Sequence, residues 1–358
     1  MKLLGVLLAA PLVLAAPVLE SRAASIPDSW IVVLRDDITV ASATTRIANL
    51  LGHAPNKSFA IGSFKGLFID SPQHVIDLVA SLTEGLARVS SRQPGTTKYV
   101  YDDSAGEGVH AYIIDTGIFT EHPEFEGRAS MGAAFVEGED MTDGNGHGTH
   151  VAGTVGSKTY GVSKKVSLIG VKVLGANGTG STAGVISGLE WAVNHANQNG
   201  WMEKSVANIS IGGLRFLGHA LNKAAAAAVE AGLFLSVAAG NWGLPAELVS
   251  PASEPTVCTV GATDRKDVRA SFSNFGDSVD IFAPGVDIIS TWNDGNTNTA
   301  SGTSMAAPHV AGLAAYMIGL GGDYTPTTLC EHLQSVANMN SISLALSKNN
   351  LLAYNGRA

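Results

Sequence analysis

Residues 111–117 read Ala-Tyr-Ile-Ile-Asp-Thr-Gly, an apolar run that stops at a carboxylate and a glycine turn. Such a run is typical of a buried strand in a parallel sheet. Similar runs recur with helical patterns between them: strands are predicted over 111–114, 167–173, 206–211 and 233–238, and helices over 147–155, 181–197 and 221–231. This alternation predicts an α/β fold, with helices on both faces of a mostly parallel sheet.

Asp115 is the first candidate for chemistry. It would lie at the carboxyl edge of the sheet, which is where α/β proteins build their sites. Taken alone, an aspartate at the end of a strand more often caps a neighbouring helix. Asp115 therefore indicates a functional site only together with other residues.

A second segment, residues 143–153, reads Asp-Gly-Asn-Gly-His-Gly-Thr-His-Val-Ala-Gly. Its glycines allow a loop to approach a neighbour closely, and His147 then opens a helix. His147 and His150 are three positions apart, which raises the question of a metal pair. The His-Glu-x-x-His pattern of zinc peptidases is absent and no third ligand lies nearby, so a metal site is not expected here.

Two further segments carry a hydroxyl and an amide. Residues 301–312 place Ser304 at the start of a helix, with a proline at 308 that a first helical turn tolerates. The helix dipole and a free backbone N–H there suit an oxyanion, although a serine in this position is more often an ordinary N-cap. Residues 236–241 form a buried strand that ends in glycine and Asn241, which is either a turn residue or a second oxyanion donor.

Taken together, the segments around Asp115, His147, Asn241 and Ser304 resemble those of the subtilisin-like serine proteases (peptidase S8 family) in the family's own order. The secreted fungal proteinase K type is the most similar. The resemblance runs from Gly85 to the C-terminus and implies a three-layer subtilisin-like fold. An α/β-hydrolase is disfavoured, because its serine comes first and Ser304 lacks the second glycine of Gly-x-Ser-x-Gly.

The resemblance implies a role for each of these residues. His147 would take the proton of Ser304 and later protonate the leaving amine, while Asp115 would hold the imidazole in the useful tautomer. The Asn241 side chain and the Ser304 N–H would form the oxyanion hole. No cofactor is expected in the chemistry.

Protein and peptide substrates are expected to bind as an added β-strand between two edge segments that resemble those of the family. These segments are Gly178, Thr179, Gly180 and Ile211, Gly212, Gly213. The small residues Ala238, Ala239 and Gly240 would line an uncharged primary pocket. They predict a broad preference for apolar or aromatic residues before the cleaved bond.

The N-terminus predicts export. Lys2 followed by an apolar run over 3–15 is typical of a secretory signal peptide, which we assign to 1–15. The run is too short for a membrane span.

In an oxidising compartment Cys258 and Cys330 could form a disulfide or remain buried thiols, and the family resemblance implies the disulfide. Asn56 and Asn177 head glycosylation sequons on a secreted (extracellular) chain.

Residues 16–84 resemble an inhibitor I9-like propeptide, which is a small α+β unit. Residues 85–358 resemble the catalytic domain of the family. The last strand and product-like tail of such a propeptide have no counterpart before Gly85. Three explanations for the missing tail stay open: a lost exon, another route of maturation, or no maturation.

The resemblance also implies a structural calcium site made by the carbonyls of Pro255 and Val257 and the carboxylate of Asp280.

Charge and composition bound the partners. The 358 residues include 22 Lys and Arg against 31 Asp and Glu, a net charge of −9, without a basic block that could neutralise phosphates. Neither nucleic acid nor a membrane is expected as a partner. The protein is expected to be a monomer that its own propeptide inhibits.

The sequence predicts a secreted serine endopeptidase; the alternative is a non-maturing homologue that only binds peptides or inhibitors. A lipase or esterase is contradicted by the serine-last order.

Overall fold

The structure, a computed structural model, describes residues 2–4, 29–34, 41, 44, 48, 54–61, 64–70, 85–96, 98–214 and 219–357. Its strands are β1 (Lys2–Leu4), β2 (Ser29–Leu34), β3 (Lys57–Ile61), β4 (Phe64–Asp70), β5 (His110–Asp115), β6 (Ala129–Ala134), β7 (Ser167–Lys172), β8 (Ser205–Ile209), β9 (Gly213–Leu214), β10 (Phe234–Ala238), β11 (Val249–Ser250), β12 (Cys258–Thr263), β13 (Ile281–Pro284), β14 (Ile288–Thr291), β15 (Thr297–Ala300), β16 (Asn338–Met339) and β17 (Leu351–Leu352). Its α-helices are α1 (His147–Gly156), α2 (Thr182–Gln198), α3 (Ala220–Glu230), α4 (Thr303–Gly319) and α5 (Pro326–Val336). Short 3-10 turns lie at Pro123–Phe125, Met202–Lys204 and Ala246–Leu248.

A nine-stranded sheet organises most of the described chain, in the order β16-β17-β13-β12-β10-β8-β5-β7-β6. The strand pairs are parallel except for β16 with β17, so the predicted α/β fold is confirmed. From β5 the chain continues to β6 and β7 on one side and then to β8 and beyond on the other. The carboxyl ends of β5 and β8 therefore flank a switch point, where parallel sheets open a crevice.

The two faces of the sheet bury different helices. Alternate residues of β5 point to opposite sides, because side chains alternate along a strand. Ala111 and Ile113 join the core that contains residues of α1 and α4, whereas Tyr112 and Ile114 join the core that contains residues of α2 and α3. Sheet and helices thus form the three layers expected from the sequence.

Helix α4 is largely enclosed by the core that it shares with α1. Apart from Ser304, Ile318 and Gly319, its residues are buried, because its sequence is rich in alanine and other small apolar residues. The sequence placed Pro308 in the first turn of this helix, and that prediction was wrong. The helix begins at Thr303, so Pro308 lies in its second turn and deprives the carbonyl of Ser304 of its intrahelical N–H donor.

The N-terminal segment forms a separate four-stranded sheet with the order β1-β2-β4-β3. Strands β2 and β4 agree with the strands that the sequence predicts over 30–34 and 66–69, and residues 41, 44 and 48 are helical, as the helix predicted over 41–51 requires. The sequence missed β3, whose residues Lys57 and Ser58 are polar and exposed. The predicted helix over 73–82 lies outside the described residues.

The edge strand β1 falls inside the segment predicted as a signal peptide. It pairs in parallel with β2, with Lys2 opposite Trp30. None of the helices in the described ranges has the length and hydropathy needed to cross a bilayer.

A disulfide joins Cys258 at the start of β12 to Cys330 in α5, with 5.8 Å between the two Cα atoms. The alternative of two free thiols is therefore excluded. The bond ties the C-terminal helix α5 to the central sheet and closes a loop of 72 positions. In the chain-entropy model, such a loop contributes about 4 kcal/mol to stability.

Candidate active site

A groove of about 370 Å³ opens at the carboxyl edge of the sheet, at the switch point between β5 and β8. Its walls come from the loop after β5, the start of α1, the ends of β8 and β10, and the start of α4. The lining residues are Thr116, Asn145, His147, Leu174, Gly178, Ser210, Ile211, Gly212, Ala238, Gly240, Asn241, Trp242, Thr303 and Ser304. Segments far apart in sequence therefore meet at one edge.

Asp115 and His147 are joined by a hydrogen bond. Nδ1 of His147 donates to Oδ1 of Asp115 at 2.7 Å, and the backbone N–H of Thr116 donates to the same oxygen at 2.8 Å. Asp115 is fully buried, whereas the His147 side chain is 29% exposed toward the groove. This bond fixes the tautomer of the imidazole and leaves Nε2 for an incoming group.

The surroundings of His147 favour its charged form. Burial alone lowers the pKa of the imidazole, but the charge and hydrogen bond of Asp115, helped by the charge of Asp143, outweigh it and raise the pKa above its ordinary value of 6.5. His150 behaves in the opposite way, since burial lowers its pKa to about 4. Its Nε2 lies 3.0 Å from the carbonyl of Ile288 and 3.1 Å from that of Asn298, so this histidine supports the β14–β15 hairpin.

Ser304 is the second residue of α4 and is clamped to the end of β8. Its hydroxyl donates to the carbonyl of Ser210 at 3.2 Å, and the hydroxyl of Ser210 donates back to the carbonyl of Ser304 at 2.9 Å. The second bond satisfies the carbonyl that Pro308 leaves without a helical partner. Sequence reasoning missed Ser210, although it lies near the end of the predicted strand over 206–211.

Thr303 orients the amide of Asn241. Oδ1 of Asn241 accepts from both the N–H and the hydroxyl of Thr303, each at 2.8 Å. The same hydroxyl accepts from the N–H of Gly240 at 3.1 Å. Because the amide oxygen is held, the amide nitrogen of the exposed Asn241 is the group available to a ligand in the groove.

Asn274 shapes the loop that carries Asn241. Its buried side chain donates to the carbonyl of Ala239 at 2.8 Å and accepts from the N–H groups of Trp242 and Leu244 at 3.1 and 3.0 Å. Gly240 adopts a φ of 103°, and a Cβ there would lie 2.4 Å from Nδ2 of Asn274. Glycine is therefore required at this turn.

The predicted substrate-binding residues are placed in two ways. Gly178, Ile211, Gly212, Ala238 and Gly240 line the groove. The others lie behind or beside it: Thr179 closes a turn through its carbonyl, Gly180 is an exposed neighbour, Gly213 pairs with Ser250, and Ala239 is fully buried.

The predicted calcium ligand Asp280 is a mostly buried carboxylate. It accepts from the N–H of Thr259 at 2.8 Å and from the side chain of Gln334 at 3.2 Å, which are neutral donors. Burial raises the pKa of Asp280 to about 6. The sulfurs of Cys258 and Cys330 lie near this carboxylate, but both are consumed by the disulfide. A buried oxygen donor without a cationic partner in the described chain fits a hard divalent ion.

Comparison with known proteins agrees with this geometry. The model of the subtilase family (Peptidase_S8) matches residues 106–353. The chain belongs to this family and is a serine endopeptidase, a hydrolase of peptide bonds.

Individual relatives are similar over most of the chain. A cuticle-degrading protease of Metarhizium anisopliae is 45% identical, covering 99% of this chain and 98% of that protein. Proteinase R of Parengyodontium album is 43% identical, covering 95% and 92%. The crystal structure of a cold-adapted subtilisin-like serine proteinase matches with a TM-score of 0.73 and 44% identity, over 77% of this chain and 98% of that one.

The role of Thr303 in orienting Asn241 is testable. Thr303→Val removes the hydroxyl that Asn241 and Gly240 share, so we expect kcat for peptide hydrolysis to fall about 10-fold or more because one oxyanion donor is misdirected. Removing such a donor outright is known to cost this family about 100- to 1000-fold. Thr303→Ser keeps the hydroxyl and is the matched control. Equal kcat values for the Val and Ser variants would contradict the assignment.

The Asp115 contact predicts the pH dependence of the activity. A raised pKa keeps the imidazole protonated, and unable to accept a proton, to a higher pH, so the acid limb of kcat/KM should lie above pH 6.5. Asp115→Asn removes the stabilising charge and should move this limb to lower pH. It should also lower kcat by up to the roughly 10⁴-fold seen for the matching change in another serine protease family. An acid limb that does not move in the Asn variant would overturn the assignment.

Proposed function

We propose that this chain is a secreted endopeptidase of broad specificity that cleaves peptide bonds through Asp115, His147 and Ser304. One observation carries the proposal: a buried carboxylate orients His147 in the same groove that Ser304 and the anchored amide of Asn241 line. A base, a hydroxyl and an amide donor thus line one groove, which is the set of groups that acyl transfer requires.

The reaction begins when Nε2 of His147 takes the proton of Ser304 and the hydroxyl oxygen attacks the substrate carbonyl carbon. The hydroxyl must first turn away from the carbonyl of Ser210. Negative charge on the substrate oxygen is met by the Asn241 amide and by the N–H of Ser304, which lies in the first helical turn and has no intrahelical acceptor. His147 then protonates the leaving amine, and water hydrolyses the acyl-enzyme in a second round of the same steps.

Substrate recognition is proposed to rest on backbone pairing and a small apolar pocket. Gly178 on one side and Ile211 and Gly212 on the other face the groove, and an extended peptide that adds to such edges is read through its main chain. Ala238 and Gly240 carry no charge or bulk. The residue before the cleaved bond is therefore expected to be apolar or aromatic, with broad tolerance.

The proposed organisation is a signal peptide at 1–15, a propeptide at 16–84 that inhibits the enzyme, and a catalytic domain at 85–358. The disulfide supports an oxidising, extracellular location. The alignment with the Metarhizium protease spans 383 positions against 358 residues in this chain, so 383 − 358 = 25 or more positions are gaps in this chain, as a lost propeptide tail would produce. Asn56 and Asn177 are exposed, as glycosylation requires, whereas Asn208, which heads the further sequon Asn-Ile-Ser, is buried and should remain bare.

A bound calcium ion is proposed to stabilise the enzyme without entering the chemistry. Asp280 and the carbonyls of Pro255 and Val257 would hold it, and the ion would neutralise the buried carboxylate. The second candidate function, a homologue that binds peptides without cleaving them, is favoured only by the shortened junction before Gly85.

Expression in a secretory host tests the function. We expect the wild-type protein to shorten by the size of the pro-segment, to react with a serine-directed probe and to cleave a peptide that ends in an aromatic residue. Ser304→Ala should do none of these, because the nucleophilic oxygen is gone. A wild-type protein that stays full length and unreactive would contradict the endopeptidase proposal and favour the binding-only homologue.

The calcium proposal is tested by thermal unfolding of Ser304→Ala protein, which avoids self-digestion. Calcium should raise the Tm and a chelator lower it, since a ligand of the folded state stabilises it. Adding Asp280→Asn should abolish both effects, whereas Asp277→Asn at an exposed neighbouring carboxylate should preserve them. A calcium response that survives Asp280→Asn would show that Asp280 is not a ligand.

A further inference from the structure

The carboxylate of Asp143 lies beside the proposed triad and is not one of its members. It is 6% exposed and accepts five hydrogen bonds. Oδ1 accepts from Thr116 Oγ1 at 2.8 Å and from the N–H groups of Asn145 and Gly146 at 3.0 and 2.8 Å. Oδ2 accepts from the N–H and the hydroxyl of Thr149 at 2.9 and 2.5 Å. An ionised carboxylate offers about four lone-pair sites, so these five bonds saturate it.

These bonds connect the two segments that must meet for proton transfer. Thr116 follows Asp115 directly at the end of β5, and Thr149 lies two residues after His147 in α1. The hydroxyl of Thr116 also accepts from the N–H of Gly148 at 2.8 Å. We propose that Asp143 is a positioning residue, which locks the end of β5 to the start of α1 and so sets the geometry between Asp115 and His147.

The other side of the loop is confined as well. The side chain of Asn293 donates to the carbonyl of Asp143 at 2.8 Å. Gly146 has a φ of 104°, and a Cβ there would lie 2.4 Å from the ring of Trp292. The loop is therefore held on one side by the hydrogen bonds of the Asp143 carboxylate and on the other by the hairpin formed by β14 and β15. It has little room to rearrange and replace those hydrogen bonds if the carboxylate is lost.

Asp143 also brings a second negative charge toward the imidazole. The charges of Asp115 and Asp143 both favour the cation of His147, whose own charge lowers the pKa of the neighbouring His150. An anion before the first turn of α1 also interacts favourably with the helix dipole. Positioning and charge make separable predictions, because one acts on kcat and the other on the pH at which His147 titrates.

Two variants separate these effects, and their kinetic readout rests on the proposed function. Asp143→Asn removes the charge and part of the network, so we expect kcat to fall about 10- to 100-fold from misaligned groups. KM should be nearly unchanged and the acid limb of kcat/KM should move to lower pH. Thr116→Val cuts the link to β5 but keeps the charge, so kcat should fall while the acid limb stays in place.

Asp264→Asn is the matched control. The Asp264 carboxylate likewise accepts backbone N–H bonds, from Lys266 and Val268, but it lies outside the groove. We expect this variant to retain the wild-type kcat and acid limb. Wild-type kcat in a folded Asp143→Asn or Thr116→Val protein would overturn the positioning role. Thr116→Val decides the matter if Asp143→Asn does not fold.

A second measurement needs no activity. In Ser304→Ala protein the pKa of His147 is read by NMR titration, with and without Asp143→Asn. A lower pKa in the Asn variant supports the proposal, and an unchanged pKa overturns its charge component. Because this titration works in an inactive chain, failure of the proposed endopeptidase function would be distinguishable from failure of the Asp143 assignment.

Discussion

The hydrogen bond between Asp115 and His147 depends on a constraint of parallel sheets. Strand β5 is flanked by β7 and β8, so its carboxyl end lies where the chain diverges to both sides and leaves a crevice. Helix α1 begins at this edge with His147 as its first residue. Topology therefore brings the buried carboxylate and the partly exposed imidazole to the same edge, where their side chains meet at 2.7 Å.

The start of α4 carries two parts of the site at once. Thr303 holds the amide oxygen of Asn241, and the next residue, Ser304, exchanges hydrogen bonds with Ser210 at the end of β8. Pro308 frees the carbonyl that receives one of these bonds. Because α4 is enclosed by the core, the proposed nucleophile and the proposed oxyanion donor are fixed relative to the same rigid element.

The sequence was sufficient for the layers of the fold and for the residues proposed to react, because strand periodicity and the motifs around Asp115, His147 and Ser304 are local signals. It was not sufficient for the supporting residues. Ser210 and Asn274 act through backbone groups that are close only in the folded chain. A lone polar residue at the end of a strand carries no sign of such a partner, and the helix that begins at Thr303 placed Pro308 one turn deeper than expected.

Mass-spectrometric mapping of a covalent, serine-directed phosphonyl probe tests the central claim most directly. A hydroxyl next to an oriented base and an oxyanion donor should react far faster than any other serine in the chain. We predict a single adduct on Oγ of Ser304, formed at a rate that falls as His147 is protonated. An adduct on another residue, or no adduct on the folded protein, would contradict it.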